Sequence, residues 1–283
     1  MTMQRSTFTS PVDDLELTSV EWDVADPRGV VQIAHGLGEH SARYDRFARA
    51  LNDAGYTVCA TDHRGHGASI AGTPGDFGAP GFEALIADVA AYGASLNGDL
   101  PLFLFAHSMG SFAAQSVILT HSEQYAGVVL SGSTALDLLA AGMAESEGPV
   151  GLEAFNVGFE HRTGYEWLSR DEAEVDRYVA DPLCGFDLPD ETVPALFGGA
   201  GTLADPTALA GIRSDLPLLL VSGSDDPLAG GGQLVAVLGQ RYRDAGLVDV
   251  KMKLYDGARH EILNEINRDE VTADVVAWLD AHL

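Results

Sequence analysis

Short apolar runs alternate with amphipathic segments along most of this chain of 283 residues. The clearest runs are five or six residues long, at 30–34, 56–61, 102–106, 127–131 and 217–221. Runs of this length predict strands that are buried on both faces, because they leave no alternating polar face for solvent. Residues 15–22 instead partly alternate apolar and polar side chains, which predicts an exposed antiparallel strand.

Helices are predicted between these strands from a different spacing. Apolar side chains recur three and four residues apart at Tyr44, Phe47, Ala48 and Leu51, and similar spacings occupy residues 82–89 and 271–279. A last strand is predicted at residues 248–255. Because strands joined through helices form right-handed crossovers, we expect an α/β fold with a mostly parallel central sheet and helices on both faces.

The alternation lapses between residues 134 and 213. Helical spacing continues there, for example at residues 135–141 and 171–180, but no clear strand separates the helical segments. An insertion of this length within an α/β alternation favours a cap over a site rather than a separate domain. The sequence therefore predicts a core of residues 1–133 and 214–283, with a helical cap at residues 134–213.

The charge balance excludes several classes of partner. The chain has 42 acidic and 16 basic residues, a formal net charge of −26 and a sequence pI near 4.4. Nucleic-acid binding depends on clustered lysine and arginine, and an anionic membrane surface repels an acidic protein, so we expect neither partner. The acidity itself is interpreted as an aid to solubility.

Cysteine usage and hydropathy indicate the compartment. Cys59 and Cys184 lie far apart in the sequence and neither belongs to a Cys-x-x-Cys pair, which favours free thiols in a reducing compartment. Residues 1–14 have no apolar segment typical of a signal peptide, and no apolar run approaches the length of a transmembrane helix. We therefore expect a soluble, cytoplasmic protein, and the sequence does not indicate an oligomeric state.

A candidate nucleophile follows the run at residues 102–106. This run leads into His107-Ser108-Met109-Gly110, and helical spacing resumes at residue 111. A strand, a sharp turn at a serine and a helix form the nucleophile elbow, G-x-S-x-G. The positions two residues before and after the serine must be small, and here they hold Ala106 and Gly110, so alanine replaces the first glycine.

Other candidate groups follow other predicted strands. In open parallel sheets, ligands bind at the carboxyl ends of the strands. The glycine-rich segment at residues 35–38 follows the first buried strand, Asp225 and Asp226 follow the run at 217–221, and His260 follows the last strand. The order of serine, acid and histidine fits a serine hydrolase on such a sheet, with either aspartate as the acid.

The remaining histidines and Cys184 have simpler interpretations. His63 and His66 could suggest a metal pair, but no further side chains at ligand spacing complete a site, so we expect them to stabilise a turn and we expect no metal. We expect His107 to pack against or orient the elbow, and His40 to hydrogen-bond within its loop. Cys184 is expected to pack in the cap.

Several motifs together resemble one family. They are residues 35–44 (HGLGEHSARY), 62–67 (DHRGHG), 106–110 (AHSMG), 223–226 (GSDD), 257–260 (GARH) and 181–183 (DPL). The chain resembles the α/β-hydrolase fold and, within it, the monoacylglycerol lipase and lysophospholipase group, also called the serine aminopeptidase-type family. This resemblance covers nearly the whole chain and is firmest outside the cap.

The resemblance implies roles for particular residues. It assigns the triad to Ser108, Asp226 and His260, and so favours Asp226 over Asp225 as the acid. It assigns the oxyanion hole to the backbone amides of Leu37 and Met109. It implies a serine esterase that needs no cofactor and cleaves monoacylglycerol or lysophospholipid esters through an acyl-enzyme. A small-ester carboxylesterase, an aminopeptidase or a thioesterase is the alternative, and a non-catalytic binding protein would not require the triad.

The cap is expected to select the acyl group. We expect more than half of its large apolar residues only to pack the cap, and the others to line a tunnel for one acyl chain. These residues are Leu136, Leu138, Leu139, Met143, Phe155, Phe159, Tyr165, Trp167, Leu168, Phe186 and Phe197.

Overall fold

One eight-stranded sheet forms the centre of the molecule in the computed structural model, which describes residues 3–145, 151–190 and 192–283. The strands are β1 (Gln4–Thr9), β2 (Glu16–Trp22), β3 (Gly29–Ala34), β4 (Tyr56–Thr61), β5 (Leu102–His107), β6 (Gly127–Ser131), β7 (Leu218–Gly223) and β8 (Val250–Tyr255). Every residue of β4, β5, β6 and β7 is buried. The continuous apolar runs are therefore central strands, as predicted.

The sheet order is β1-β2-β4-β3-β5-β6-β7-β8. The pairs β1–β2 and β2–β4 are antiparallel, and every pair from β4 to β8 is parallel. The predicted α/β fold with a mostly parallel sheet is confirmed. Because the parallel strands share a direction, the loops after β3, β5, β7 and β8 lie at one edge of the sheet.

Helices cover both faces of this sheet. The helices are α1 (Asp45–Asp53), α2 (Phe82–Leu96), α3 (Met109–His121), α4 (Leu136–Ala144), α5 (Glu172–Ala180), α6 (Val193–Gly198), α7 (Ala200–Ala204), α8 (Pro206–Leu209), α9 (Gln233–Asp244) and α10 (Arg268–Asp280). Apolar residues of α1 and α10 belong to one buried cluster, and those of α2, α3 and α9 belong to another. Among the described residues, no helix is long and apolar enough to cross a membrane.

The strand β1 is absent from the predictions. Five of its six residues are exposed. It lies at the edge of the described sheet and pairs with β2, in a register that runs from Gln4 opposite Glu21 to Thr9 opposite Glu16. An exposed edge strand needs no apolar periodicity, so its sequence carries little signal. The neighbouring prediction at residues 15–22 is right in type, and four of the seven residues of β2 are buried.

Residues 134–213, which we call the cap, contain α4 to α8 and short 3₁₀ turns, without a strand in their described part. Residues 146–150 and 191 of the predicted cap lie outside the described residues. Cap side chains such as Leu152, Trp167 and Leu196 share one buried apolar cluster with Met109 and Phe112 of α3. The cap thus packs directly over the start of α3, while its limits as a unit stay a prediction.

Candidate active site

The turn between β5 and α3 holds Ser108 in an unusual conformation. Its φ is +51° and its ψ is −123°, outside the regions that non-glycine residues normally adopt. Two residues later, a Cβ on Gly110 would lie 2.3 Å from the carbonyl oxygen of Ala34, so this position requires glycine. Ala106, which replaces the first glycine of the G-x-S-x-G motif, is fully buried opposite Ala34 of β3. The sheet therefore accommodates an alanine at this position.

Ser108, His260 and Asp226 form a continuous chain of hydrogen-bonding contacts. Nε2 of His260 lies 2.9 Å from Oγ of Ser108, and Nδ1 of His260 lies 2.9 Å from Oδ2 of Asp226. Both His260 and Asp226 are buried. The histidine can therefore contact the serine and the carboxylate at the same time, one with each ring nitrogen.

Asp225 and Asp226 have different surroundings. Asp226 accepts hydrogen bonds from the N–H of Leu228 at 2.9 Å and from Oγ of Ser222 at 3.2 Å, besides its contact with His260. Asp225 is exposed, and its carboxylate accepts a hydrogen bond from Oγ of Ser224. The structure therefore brings Asp226, and not Asp225, to the histidine.

Burial and pairing act in opposite directions on these two groups. Burial raises the pKa of Asp226, but the His260 ring and the N–H of Leu228 outweigh it, so the net pKa lies below the usual value. Burial lowers the pKa of His260, but Asp226 outweighs it, and the net pKa lies above 6.5. The pair thus favours a negative Asp226 and stabilises positive charge on His260.

The loop after β3 passes close to Ser108. A Cβ on Gly36 would lie 3.1 Å from Cβ of Ser108 and 2.9 Å from Oε1 of Glu39, so glycine permits this approach. Leu37 lines the same cavity as Ser108 and Met109. Met109 is the first residue of α3, and its N–H has no acceptor within that helix. The five residues assigned by the family resemblance are therefore brought to one place.

A buried ionic network supports this loop. Oε1 of Glu39 accepts hydrogen bonds from the N–H of Gly36 at 2.6 Å and from the hydroxyl of Tyr44 at 2.8 Å. Arg43 donates to Glu39 at 2.7 Å and to Glu261 at 2.5 and 2.8 Å. Burial raises the pKa of Glu39, but Arg43 and nearby histidines outweigh it, leaving a value of about 2.

The prediction from sequence gave no role to this network. Its one local signal is the spacing of Glu39 and Arg43, four residues apart and next to the glycine-rich segment. The contact with Glu261 joins residues 218 positions apart, and local spacing carries no information about such a pair.

A cavity of about 710 Å³ opens above Ser108 and His260. Most of its lining residues come from the cap, and seven of the eleven cap residues named from the sequence are among them. Those seven are Leu138, Leu139, Met143, Phe155, Trp167, Leu168 and Phe197. The expectation that more than half would only pack the cap is therefore wrong, because the cavity wall is also much of the cap's apolar interior.

The lining also carries acidic groups. Asp187 and Asp190 are exposed at the cavity, while Glu39 and Glu261 are buried and bound to Arg43. The described lining residues include no lysine or arginine. The cavity thus combines an apolar wall with carboxylates and offers no cation to an anionic ligand.

His63 and His66 lie away from this cavity, in a buried cluster with His35. The ring centroid of His35 lies 4.1 Å from that of His63 and 5.4 Å from that of His66. Nδ1 of His66 contacts the carbonyl oxygen of Arg64 at 3.0 Å, which agrees with the predicted role of His66 in stabilising this turn. Neither ring nitrogen of His63 has a hydrogen-bond partner in the described part of the chain.

The remaining side chains of interest contact the elbow or the cap. His107 lies against the catalytic candidate His260, with ring centroids 4.7 Å apart, in agreement with a role beside the elbow. We expected His40 to hydrogen-bond within its own loop, but it contacts Asp181 of the cap instead, with Nε2 of His40 2.9 Å from Oδ2 of Asp181. Cys184 packs in the cap, and both cysteines are free.

Comparisons with known proteins extend over core and cap alike. Residues 25–267 match the family model described as serine aminopeptidase, S33. A monoacylglycerol lipase of Mycolicibacterium smegmatis is 32% identical over 264 residues, which cover 91% of this chain and 90% of that protein. The monoglyceride lipase of Homo sapiens is 31% identical over 273 residues, covering 88% of this chain and 80% of that protein. The crystal structure of a thermostable carboxyl esterase from Bacillus coagulans superposes with a TM-score of 0.85, at 28% identity and over 99% of each chain.

Proposed function

The chain belongs to the serine aminopeptidase (S33) family within the α/β-hydrolase fold, and on this basis we propose that it hydrolyses esters of single acyl chains through an acyl-enzyme on Ser108. It is a carboxylic ester hydrolase. The observation that carries the proposal is the chain of contacts from Ser108 through His260 to Asp226 at the base of an apolar cavity.

The proposed mechanism follows from these contacts. Neutral His260 takes the proton of the Ser108 hydroxyl as the oxygen attacks the ester carbonyl. Asp226 holds the imidazole in the required tautomer and stabilises the imidazolium. The amides of Leu37 and Met109 donate to the developing oxyanion, each worth roughly 3 kcal/mol in comparable sites. His260 then protonates the departing alcohol, and water attacks the acyl-enzyme by the same route.

The cavity favours a lipid acyl group. A volume of about 710 Å³ is within the range of roughly 300 to 1,000 Å³ that small-molecule sites occupy. An apolar chain gains about 0.8 kcal/mol for each methylene group that it buries, and the cap supplies the apolar wall. Relatives named as monoacylglycerol lipases support a substrate with one such chain.

The carboxylates favour an uncharged alcohol as the leaving group. An anionic headgroup would approach Asp187 and Asp190 and would find no cation among the described lining residues. We therefore favour monoacylglycerols over acidic lysophospholipids. Asp187 and Asp190 would also attract the ammonium group of an aminoacyl substrate, so the preference for an ester over an aminopeptidase substrate rests on the relatives named as monoacylglycerol lipases. A cytoplasmic location stays a prediction.

A panel of substrates tests this proposal. We expect kcat/KM to be highest for medium- or long-chain monoacylglycerols, lower for acidic lysophospholipids of equal chain length, and low for triacylglycerols, acetyl esters and aminoacyl amides. Ser108→Ala protein, prepared in parallel, controls for contaminating esterase. An aminoacyl amide or an acetyl ester as the best substrate would refute the lipid assignment while leaving the acyl-enzyme chemistry in place.

A further inference from the structure

Three possible metal ligands meet where the cap contacts the core. His40 follows the loop after β3, while Asp181 and Cys184 follow α5 in the cap. One ligand atom from each residue lies within 4.8 Å of the others, and Nε2 of His40 lies 2.9 Å from Oδ2 of Asp181. All three residues are only partly buried, so an ion can reach them from solvent.

The ligand types favour one kind of ion. Thiolate, imidazole and carboxylate together suit Zn²⁺, whereas Ca²⁺ and Mg²⁺ prefer oxygen ligands alone. Bond lengths of about 2.0 to 2.3 Å place tetrahedral ligand atoms roughly 3.6 Å apart. Nε2 of His40 and Oδ2 of Asp181, 2.9 Å apart, therefore need to separate by about 0.5 Å, and Sγ of Cys184 needs to approach them by up to about 1 Å. A water molecule would supply the fourth ligand.

The surrounding charges also favour a cation. Among the described residues, Arg43 is the arginine or lysine that acts on Asp181 and Cys184, and it is already bound by Glu39 at 2.7 Å and by Glu261 at 2.5 Å. The carboxylates of Asp181, Glu39 and Glu261 carry more negative charge than the guanidinium of Arg43 neutralises. A divalent cation at His40 therefore meets a net negative environment.

We propose that His40, Asp181 and Cys184 form a binding site for Zn²⁺ that ties the cap to the loop carrying Leu37. The same two segments already meet through the hydrogen bond from the N–H of Gly185 to the carbonyl oxygen of Gly38, at 3.0 Å. On binding, the ion replaces the proton between His40 and Asp181, and His40 carries its proton on Nδ1 instead. The thiol of Cys184 releases one proton to solvent and binds the metal as thiolate.

Metal titration of the full-length, chelator-treated protein tests the site directly. We expect one Zn²⁺ ion per chain by calorimetry, and a thiolate-to-cobalt absorption band when Co²⁺ is added instead. Cys184→Ser should lose this band and bind Zn²⁺ about tenfold more weakly or worse, and Asp181→Asn should also weaken binding by about tenfold. Cys59→Ala and His161→Gln, which change a thiol and an exposed histidine elsewhere, should bind Zn²⁺ as the wild type does.

A second readout tests the tie between cap and core. Zn²⁺ should raise the midpoint of thermal unfolding of the wild type, and at the same Zn²⁺ concentration it should raise that of Cys184→Ser clearly less. Equal affinity in wild type and Cys184→Ser, or a wild type without the cobalt band, would overturn the proposal. If Cys184→Ser does not fold, Asp181→Asn decides the outcome in the same way. None of these readouts requires esterase activity, so their failure leaves the proposed function standing.

Discussion

The carboxyl-terminal edge of the sheet, which carries the candidate triad, and the cap, which forms most of the cavity wall, are built from different kinds of structure. The candidate triad lies in loops that follow β5, β7 and β8, of which β5 and β7 are completely buried, and both ring nitrogens of His260 have partners. The cap instead has helices of four to nine residues. Helices this short have little stability of their own and depend on packing. Fixed strands suit chemistry that needs defined distances, and short packed helices suit a wall that can change with the substrate.

This contrast leads to separable effects of substitution. Changes at the sheet edge should lower the rate for every ester to a similar extent. Changes in the cap wall should alter the preference between esters and leave the reaction of Ser108 with small reagents nearly unchanged.

The largest effect is expected at the elbow. Ser108→Ala removes the attacking oxygen and should lower kcat by up to about 10⁶-fold for short and long esters alike. Circular dichroism and thermal unfolding should remain those of the folded protein. Turnover above a tenth of the wild-type rate in a clean preparation would exclude Ser108 as the nucleophile.

The next effect separates the two aspartates. Asp226→Asn should lower kcat by about 10⁴-fold, because the amide favours the wrong tautomer of His260. Asp225→Asn is the matched control, since Asp225 is exposed and one residue away, and it should have a far smaller effect. Steady-state kinetics on one monoacyl ester suffice, and a reversed order of the two variants would contradict the assignment.

In the cap, the expected effect depends on the substrate. Phe155→Ala removes part of the cavity wall, and lost burial of about 1.5 to 3 kcal/mol corresponds to a decrease of roughly ten- to a hundredfold in kcat/KM for long-chain esters. Acetyl esters should be nearly unaffected. Phe159→Ala is the control, because Phe159 is a cap aromatic that contacts Arg259 outside the cavity lining. Equal losses on both substrates would assign Phe155 a structural role instead.

The pH dependence of kcat/KM is expected to be set by groups at the sheet edge and not by the cap. His260 accepts a proton only when neutral, and Asp226 holds the pKa of His260 above 6.5. As the pH falls through that pKa, kcat/KM should therefore decrease by about tenfold per pH unit. The pH at which kcat/KM begins to decrease should be the same in Phe155→Ala as in the wild type. A rate independent of pH down to pH 5, in protein shown to be folded, would contradict base catalysis by His260.

The smallest effect concerns the stability of the core. Burial lowers the pKa of His66 from 6.5 to about 3 and that of His63 well below 6.5. The unfolded chain therefore binds more protons below pH 6.5, and stability should fall as the pH decreases, by up to about 1.4 kcal/mol per pH unit for each histidine.

Denaturant unfolding between pH 7 and 5 measures this slope. His66→Gln should make this slope shallower, and His161→Gln, a change at an exposed histidine of the cap, is the matched control. An unchanged slope in His66→Gln would show that His66 does not contribute to acid sensitivity.

The same contrast explains what could be predicted from the sequence. Strands β4 to β7 bury every side chain and therefore appear as continuous apolar runs. The elbow follows β5 by position, and the two aspartates follow β7. His260 follows β8, which is only partly buried but is also predicted as a strand. The choice of Asp226 over Asp225 rests on the family resemblance, because adjacent identical residues differ only in tertiary surroundings. Pairs such as Arg43 with Glu261, and His40 with Asp181, join distant segments and have no local signal.

The cap could be predicted only in outline. The helices at 135–141 and 171–180 appear in the structure as α4 (Leu136–Ala144) and α5 (Glu172–Ala180), whereas α6, α7 and α8 have only four to six residues and too few turns for a clear period. The division of its apolar residues between packing and cavity lining depends on how those helices meet. Apolar composition alone does not contain that information.

The most direct test of the account is the reaction of the wild-type protein with fluorophosphonates of increasing alkyl length. Mass spectrometry of the digested protein identifies the modified residue, and the second-order rate constant measures how well the chain fits. We predict a single adduct, on Ser108, with a rate constant that rises by nearly fourfold for each added methylene until the cavity is filled. An adduct on another residue, or a rate constant independent of chain length, would contradict the claim that the sheet edge performs the chemistry and the cap selects the acyl chain.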